Sequence, residues 1–350
     1  MFRRAHILMA SIAVGMGVLA VLSAVIFDAK LVDPDGFIGP SYLRLPTVLA
    51  LGFGIDLIPR TLWVSRCNPR RMPEVFRERL RTHWTRERMI LVVSGILSFY
   101  VTYVSYRNLK SQLPFIEGTD HKFDRELFSM DKALFLGHEP AIVLHHLLGD
   151  GISAEVLSSV YLWFLPLVPL ALAVWLVWSR NLGFGYWFAT SQCIAWTLGT
   201  VSYFALPSLG PGFQHPWLYQ TMDDTNAGRL MNSLADGRVW AVNTSAPSLI
   251  DITNTLSGVA GFASLHVAIT LLVALMIQYT TTLRWLKTVF WVNASITAVA
   301  TLYFGWHYVA DDVAGVAIAL VSFHAGAWAS GQSLTRDRVG AATRTEVTPV

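Results

Sequence analysis

Two short segments hold the residue types that phosphate chemistry needs: Ser264-Leu265-His266 and His307-Tyr308-Val309-Ala310-Asp311. If a helix begins near His307, its imidazole and the carboxylate of Asp311 fall one turn apart on the same face, and Asp311 accepts from one ring nitrogen. That bond fixes the tautomer and leaves the other nitrogen free as a nucleophile or base. A second histidine, His266, can then protonate the leaving oxygen. Two histidines and an aspartate suit phosphoryl or phosphodiester transfer through a phosphohistidine, provided cations or backbone N–H groups hold the phosphate oxygens. Such a route needs no metal and no cofactor, because the nucleophile is an imidazole and Arg and Lys can neutralise charge.

The elements that must position these residues are set by composition. Of 350 residues, 53% are hydrophobic and 14% charged, and the mean hydropathy is +0.47. These values exclude an ordinary soluble domain and point to a membrane protein. The net charge of +3 says less than where Lys and Arg fall, and no nucleic-acid partner is expected. Apolar stretches able to cross roughly 30 Å of hydrocarbon run over about 7–28, 45–64, 89–106, 154–178, 183–206, 257–279, 285–304 and 309–330. An open sheet edge in lipid would leave backbone groups unsatisfied. The expected fold is therefore all-α, a polytopic membrane helical bundle of about eight transmembrane helices.

Asp56, Pro59 and Arg60 interrupt the second stretch, which is expected to be tilted, broken or partly interfacial. The first follows Arg3 and Arg4, exceeds a signal-peptide core in length and lacks a small-x-small cleavage site, so it is read as an uncleaved anchor. The segment 60–88 carries Arg60, Arg66, Arg70, Arg71, Arg77, Arg79, Arg81, Arg86 and Arg88, which the positive-inside rule assigns to the cytoplasm. Eight crossings threaded from there put both termini on the cytoplasmic side and leave 107–153, 207–256 and the link at Trp306-His307 outside. Both motif segments then face one extracytoplasmic surface, under two long loops suited to lids and substrate binding.

Other features have plainer readings. Segment 60–88 is either an amphipathic surface helix, with Val75, Phe76, Leu80 and Trp84 against headgroups, or a solvated topogenic loop. Residues 132–148 are too short and interrupted to span, and read as interfacial helices. His138, Glu139, His145 and His146 fit no tight metal-ligand spacing. Asp312 is expected to favour the positive end of the eighth helix. Cys67 and Cys193 read as free thiols, and Asn243-Thr244-Ser245 is a glycosylation sequon of the kind that arises by chance.

The segments Phe262-Ala263-Ser264-Leu265-His266 and Ala300 through Gly315 resemble the second and third motifs of the type 2 phosphatidic acid phosphatase superfamily. The likeness is greatest to its inositol phosphorylceramide synthase and sphingomyelin synthase branch, where SLH is followed by HYxxD. Residues 203–211, with Pro207 and Pro211, are similar to a Pro-rich stretch preceding the second motif there. The resemblance implies a six-helix phosphatase-like catalytic core, with His307 as nucleophile, Asp311 as its orienting partner, and His266 as general acid and later base. Departures stand beside it: PSGH is here Ala263-Ser264-Leu265-His266, and the Ser-Arg pair before the nucleophilic histidine is Ala300-Thr301. The first motif has a loose counterpart in Arg107-Asn108-Leu109-Lys110. Arg107 and Lys110 are thus expected as phosphate ligands, or else as interfacial snorkelers. Ser264, Tyr308 and backbone N–H groups near Ser208-Leu209-Gly210-Pro211 are further expected phosphate donors.

The expected division is 1–88, an N-terminal transmembrane hairpin with its Arg-rich loop; 89–331, a catalytic membrane domain; and 332–350, a disordered cytoplasmic tail. Three functions remain open on the sequence. One is a transferase moving a phosphate-bearing headgroup, such as phosphoinositol, from a membrane phospholipid to a hydroxyl acceptor. The second is a lipid or polyprenyl phosphate phosphatase in which water is the acceptor. The third is a non-catalytic lipid-binding or transport protein, although no pseudo-symmetric halves with broken helices are visible.

Overall fold

Apolar stretches become helices wherever lipid leaves the backbone no other partner. The computed structural model describes residues 2–34, 41–116, 122–244 and 258–332, and all regular structure among them is helical. Helix α1 (Arg3–Ile26) buries Ala5, Met9, Ala13, Met16, Ala20 and Ala24, a stripe stepping by three and four. Val14, Val18, Leu22 and Val25 on its other faces are exposed. A helix apolar on its outer face as well as its inner one belongs in lipid. Four stretches, Arg3–Ile26, Arg86–Leu113, Ile152–Trp178 and Val309–Ser330, are long and apolar enough to cross a membrane. The chain is an all-α polytopic bundle.

Helix α2 (Ser41–Ser65) stays continuous despite Pro46 and Pro59, so it is not broken as the sequence had allowed. Its Asp56 carboxylate accepts from Arg79 Nη2 at 2.6 Å and from Trp84 Nε1 at 2.9 Å. Pairing of this kind lets an acid sit in an apolar setting. The short amphipathic helix α3 (Met72–Thr82) packs on α2. Helix α4 (Arg86–Ile116) runs ten residues past the expected end of the third span at 106. The reason is Asn108, which is buried and donates to Val32 O at 2.8 Å while accepting from Val32 N at 2.9 Å. The connection after α1 thereby covers a polar turn that would otherwise have frayed, and Arg107 and Lys110 lie on a helix rather than on a loop.

Two short helices, α5 (Asp124–Leu134) and α6 (Pro140–Leu148), precede the fourth crossing. That crossing is α7 (Ile152–Leu162), α8 (Phe164–Leu172) and a π-helical turn, Ala173–Trp178. Arg88 fastens its end, donating to Leu176 O at 3.1 Å and, just past the crossing, to Arg180 O at 3.0 Å. Helix α9 (Leu182–Ala205) is buried over most of its length and is the central post, packed by α1, α4 and the two helices that carry the histidine motifs.

The chain then runs through the single turn α10 (Pro211–Gln214) and through α11 (Asn226–Thr244). It ends in α12 (Leu265–Thr280), α13 (Arg284–Tyr303) and α14 (Val309–Ser330). The sixth apolar stretch, expected from 257, turns helical only at Leu265, because Ser264 is extended and caps α12. One large core surrounds α9 and includes residues of α1, so the N-terminal segment shares it with the rest. A smaller cluster, with Leu157, Tyr161, Met231, Tyr303, Phe304 and Trp306, joins α7, α11 and the end of α13. The tail beyond Gln332, and Ser245 of the sequon, lie outside the described residues.

Candidate active site

The two motif segments meet where α12 and α14 begin. Ser264 N donates to Asp311 O at 2.9 Å, which fastens the start of one helix to the first turn of the other. Gly315 allows this crossing, since a Cβ there would stand 2.4 Å from Ser264 O. Ser264 caps α12 by accepting from Val267 N, so His266 occupies the first helical turn. The N-terminal ends of both helices, with their positive dipole ends, lie in this region, a setting that favours an anion.

Helix α14 starts at Val309, two residues later than the sequence spacing had suggested, with Tyr308 as its cap. Asp311 at the third helical position folds back and accepts from Tyr308 N at 2.9 Å. This capping geometry, rather than a full turn of helix, brings Asp311 Oδ2 to 3.4 Å from His307 Nδ1. The approach has the spacing of an ion pair but not hydrogen-bond alignment, as Nδ1 has no hydrogen-bond partner. Catalytic contacts of this type often tighten only when substrate binds. Since Nδ1 faces the carboxylate, Nε2 is the ring nitrogen left for chemistry.

His266 lies 6.1 Å from His307 between ring centroids. It stacks on Tyr161 at 4.3 Å and 17° and meets Phe164 at 4.3 Å, and Tyr161 in turn stacks on Trp306. Lys110 brings positive charge to the same place. Its Nζ sits 5.3 Å from the ring centre of Tyr203 and 3.5 Å from Tyr106 Oη. The chain at Gly258 passes directly over the Lys110 backbone. Arg107 is half-buried three residues away on α4. The structure thus brings His266, His307, Asp311, Ser264 and Lys110 to one end of the bundle.

Tyr308, expected among the phosphate ligands, is fully buried and donates its hydroxyl to Asp124 Oδ1 at 3.0 Å. The backbone N–H groups of Leu209 and Gly210 likewise do not face a phosphate. Both donate to Asp124, at 2.9 and 3.0 Å. Asp312 is buried and accepts from Thr301 Oγ1 at 2.8 Å, so it ties α14 to α13 as well as sitting at a positive helix end. Glu139 accepts from Tyr219 Oη at 2.6 Å, and His145 Nε2 is 2.8 Å from Tyr303 O. Among the described residues no three His, Cys, Asp or Glu side chains group as a metal centre would.

The residues that sequence reading missed are acids. Asp124, Leu127 and Asp131 are the buried positions of α5, and Asp131 accepts from Val309 N at 3.2 Å, securing the start of α14. Their signal was present, since two carboxylates seven residues apart share the apolar face of an amphipathic helix, where an acid needs donors.

The model of the PAP2 superfamily matches residues 125–325. The chain belongs to the PAP2 superfamily. Residues 125–325 run from α5 through α14 and contain both histidines, Asp311 and the 207–214 stretch. No curated protein and no solved structure matches the chain. PAP2 superfamily proteins are phosphatases and phosphotransferases acting on phosphate esters, lipid phosphates among them, so this chain is a membrane-embedded enzyme of that general kind.

Proposed function

We propose that this PAP2 superfamily enzyme moves a phosphate-bearing headgroup from a membrane phospholipid to a hydroxyl acceptor through a phosphohistidine on His307. The observation that carries the reading is the pair of imidazoles with ring centres 6.1 Å apart, one of them backed by a carboxylate 3.4 Å from its Nδ1. His307 Nε2 attacks phosphorus, the bond to the lipid oxygen breaks, and His266 gives that oxygen its proton. His266, now neutral, takes the proton of the acceptor hydroxyl. The acceptor oxygen then attacks phosphorus, and the N–P bond breaks to restore His307. Asp311 stabilises the charge that the His307 ring carries while phosphorylated. Lys110, with Arg107 beside it, and the N-terminal ends of α12 and α14 offer positive potential to the phosphoryl oxygens.

Water in place of the alcohol would give a phosphatase on the same residues. Two features favour transfer: the Ser264-Leu265-His266 form of the second motif, and Ala300-Thr301 where the phosphatases carry Ser-Arg. The enzyme is further proposed to work on the extracytoplasmic face, with both termini in the cytoplasm. Purified protein given phosphatidylinositol with and without a long-chain alcohol is expected to form the alcohol's phosphoinositol ester. Release of free phosphate or inositol phosphate alone, unaffected by the alcohol, would overturn transfer. His307→Ala is expected to abolish turnover by a factor on the order of a thousand or more. Retained turnover in that variant would remove the phosphohistidine, whereas the non-catalytic lipid-binding reading predicts no turnover in the wild type and lipid binding unchanged in the variant.

A further inference from the structure

Asp124 stands one residue before the stretch the family model covers, and no step of the reaction above uses it. Yet it accepts from Leu209 N at 2.9 Å, Gly210 N at 3.0 Å, Gln214 Nε2 at 3.2 Å and Tyr308 Oη at 3.0 Å. A buried carboxylate is costly unless donors surround it. Here the donors come from two separate stretches of chain, and each leads to one catalytic histidine.

The first lead is short. Tyr308 directly follows His307, and Asp124 is the partner of its hydroxyl. The second passes through Ser208, next to the Leu209 N–H that Asp124 holds. Ser208 O accepts from Gly261 N at 2.7 Å, and Ser208 Oγ accepts from Phe262 N at 2.9 Å. Those residues open the segment that ends at Ser264 and His266. The packing here is close, since a Cβ on Gly261 would stand 2.6 Å from Ser208 Oγ and 3.4 Å from Asp311 Oδ2. Gly210 repeats the pattern at φ +101°, where a Cβ would stand 2.5 Å from Trp306 O. Hydrogen bonds and one peptide link, Ser208–Leu209, therefore connect Tyr308 to the segment leading into His266, and the Asp124 carboxylate lies between them.

We propose that Asp124 is a positioning residue that sets the separation of His307 and His266 by clamping the 207–214 stretch to Tyr308. The inference rests on the reaction proposed above. Asparagine cannot replace it, because one carboxamide oxygen is an acceptor while the NH2 group would face donors. A displacement of this kind acts on the transition state more than on lipid binding, since Asp124 does not reach the substrate.

The test uses the full-length protein in detergent micelles, with turnover of phosphatidic acid and phosphatidylinositol followed at several pH values. Asp124→Asn is expected to lower kcat on the order of ten- to a hundredfold with KM changed less than about threefold. Tyr308→Phe removes one bond of the clamp and is expected to lower kcat less. The double variant should be no worse than Asp124→Asn, because both changes break the same link. A purely structural Asp124 would lower the melting temperature while leaving kcat per folded molecule unchanged, and that result overturns the proposal. If Asp124→Asn does not fold, Tyr308→Phe decides, and unaltered kcat there overturns it too. His307→Ala separates the failures. Activity in His307→Ala defeats the reaction itself, whereas an inactive His307→Ala beside a wild-type-like Asp124→Asn defeats only the clamp.

Discussion

Asp131 makes a residue-scale case in which a carboxylate is worth more uncharged. It is buried in α5 against the start of α14, and burial pushes its carboxyl up to about 7, with Asp311, Glu139 and Asp312 adding like charge and the Val309 N–H partly opposing the shift. A folded-state value above the unfolded one means that the folded protein holds the proton more tightly. The stabilisation is complete below the ordinary carboxylate range and is lost as pH rises through about 7. The wild-type melting temperature in detergent should therefore fall between about pH 4 and about pH 7, and Asp131→Asn should flatten that fall. Equal slopes in the two proteins would show that Asp131 ionises freely. The meeting of the two histidines and Asp311 was legible in the sequence from their types and spacing. Asp124 and Asp131 were visible only as acids on an apolar face, because what such an acid does depends on which donors the fold delivers to it.

At the scale of elements, the site depends on how closely α12 and α14 begin. Gly315 lies on α14 where Ser264 O, the last carbonyl before α12, comes nearest. A leucine at this point has to push the two helix starts apart, so Gly315→Leu should destabilise the protein by about 1–3 kcal/mol and lower kcat strongly. Thermal unfolding beside specific activity checks it, and unchanged activity would mean that the crossing does not set the histidine geometry. Most of the spanning helices were readable from hydropathy to within a few residues, since lipid leaves the backbone little choice. Helix α12, which begins only at Leu265, and helix α4 were exceptions. The run Arg107-Asn108-Leu109-Lys110 looks like the end of a span until Val32 closes over Asn108, a contact 76 residues distant in sequence that no local pattern reports.

For the whole molecule, the proposed orientation rests on loop charge and can be tested with the native thiols. Cys67 is exposed and Cys193 is buried, and Cys67 lies in the Arg-rich segment between α2 and α3. A membrane-impermeant maleimide is expected to label Cys67 in inside-out vesicles and not in intact cells. Labelling of intact cells alone would invert the arrangement and move the histidines to the cytoplasmic side. Two arginines of this segment have structural partners, Arg79 in Asp56 and Arg88 in the carbonyls of Leu176 and Arg180.

Composition alone determined that this is a helical membrane protein, because the transfer free energy of each apolar stretch is a local sum over its residues. Local spacing likewise singled out His266, His307 and Asp311 as candidates, since reactivity is a property of side-chain type. Only the tertiary structure decided that α14 begins after His307 rather than at it, and that Tyr308 bonds to Asp124 rather than offering its hydroxyl to a phosphate. It also decided that a buried carboxylate joins the two motifs. Hydrogen bonds between distant segments depend on which donors packing leaves without water, and that is fixed only when the helices have come together.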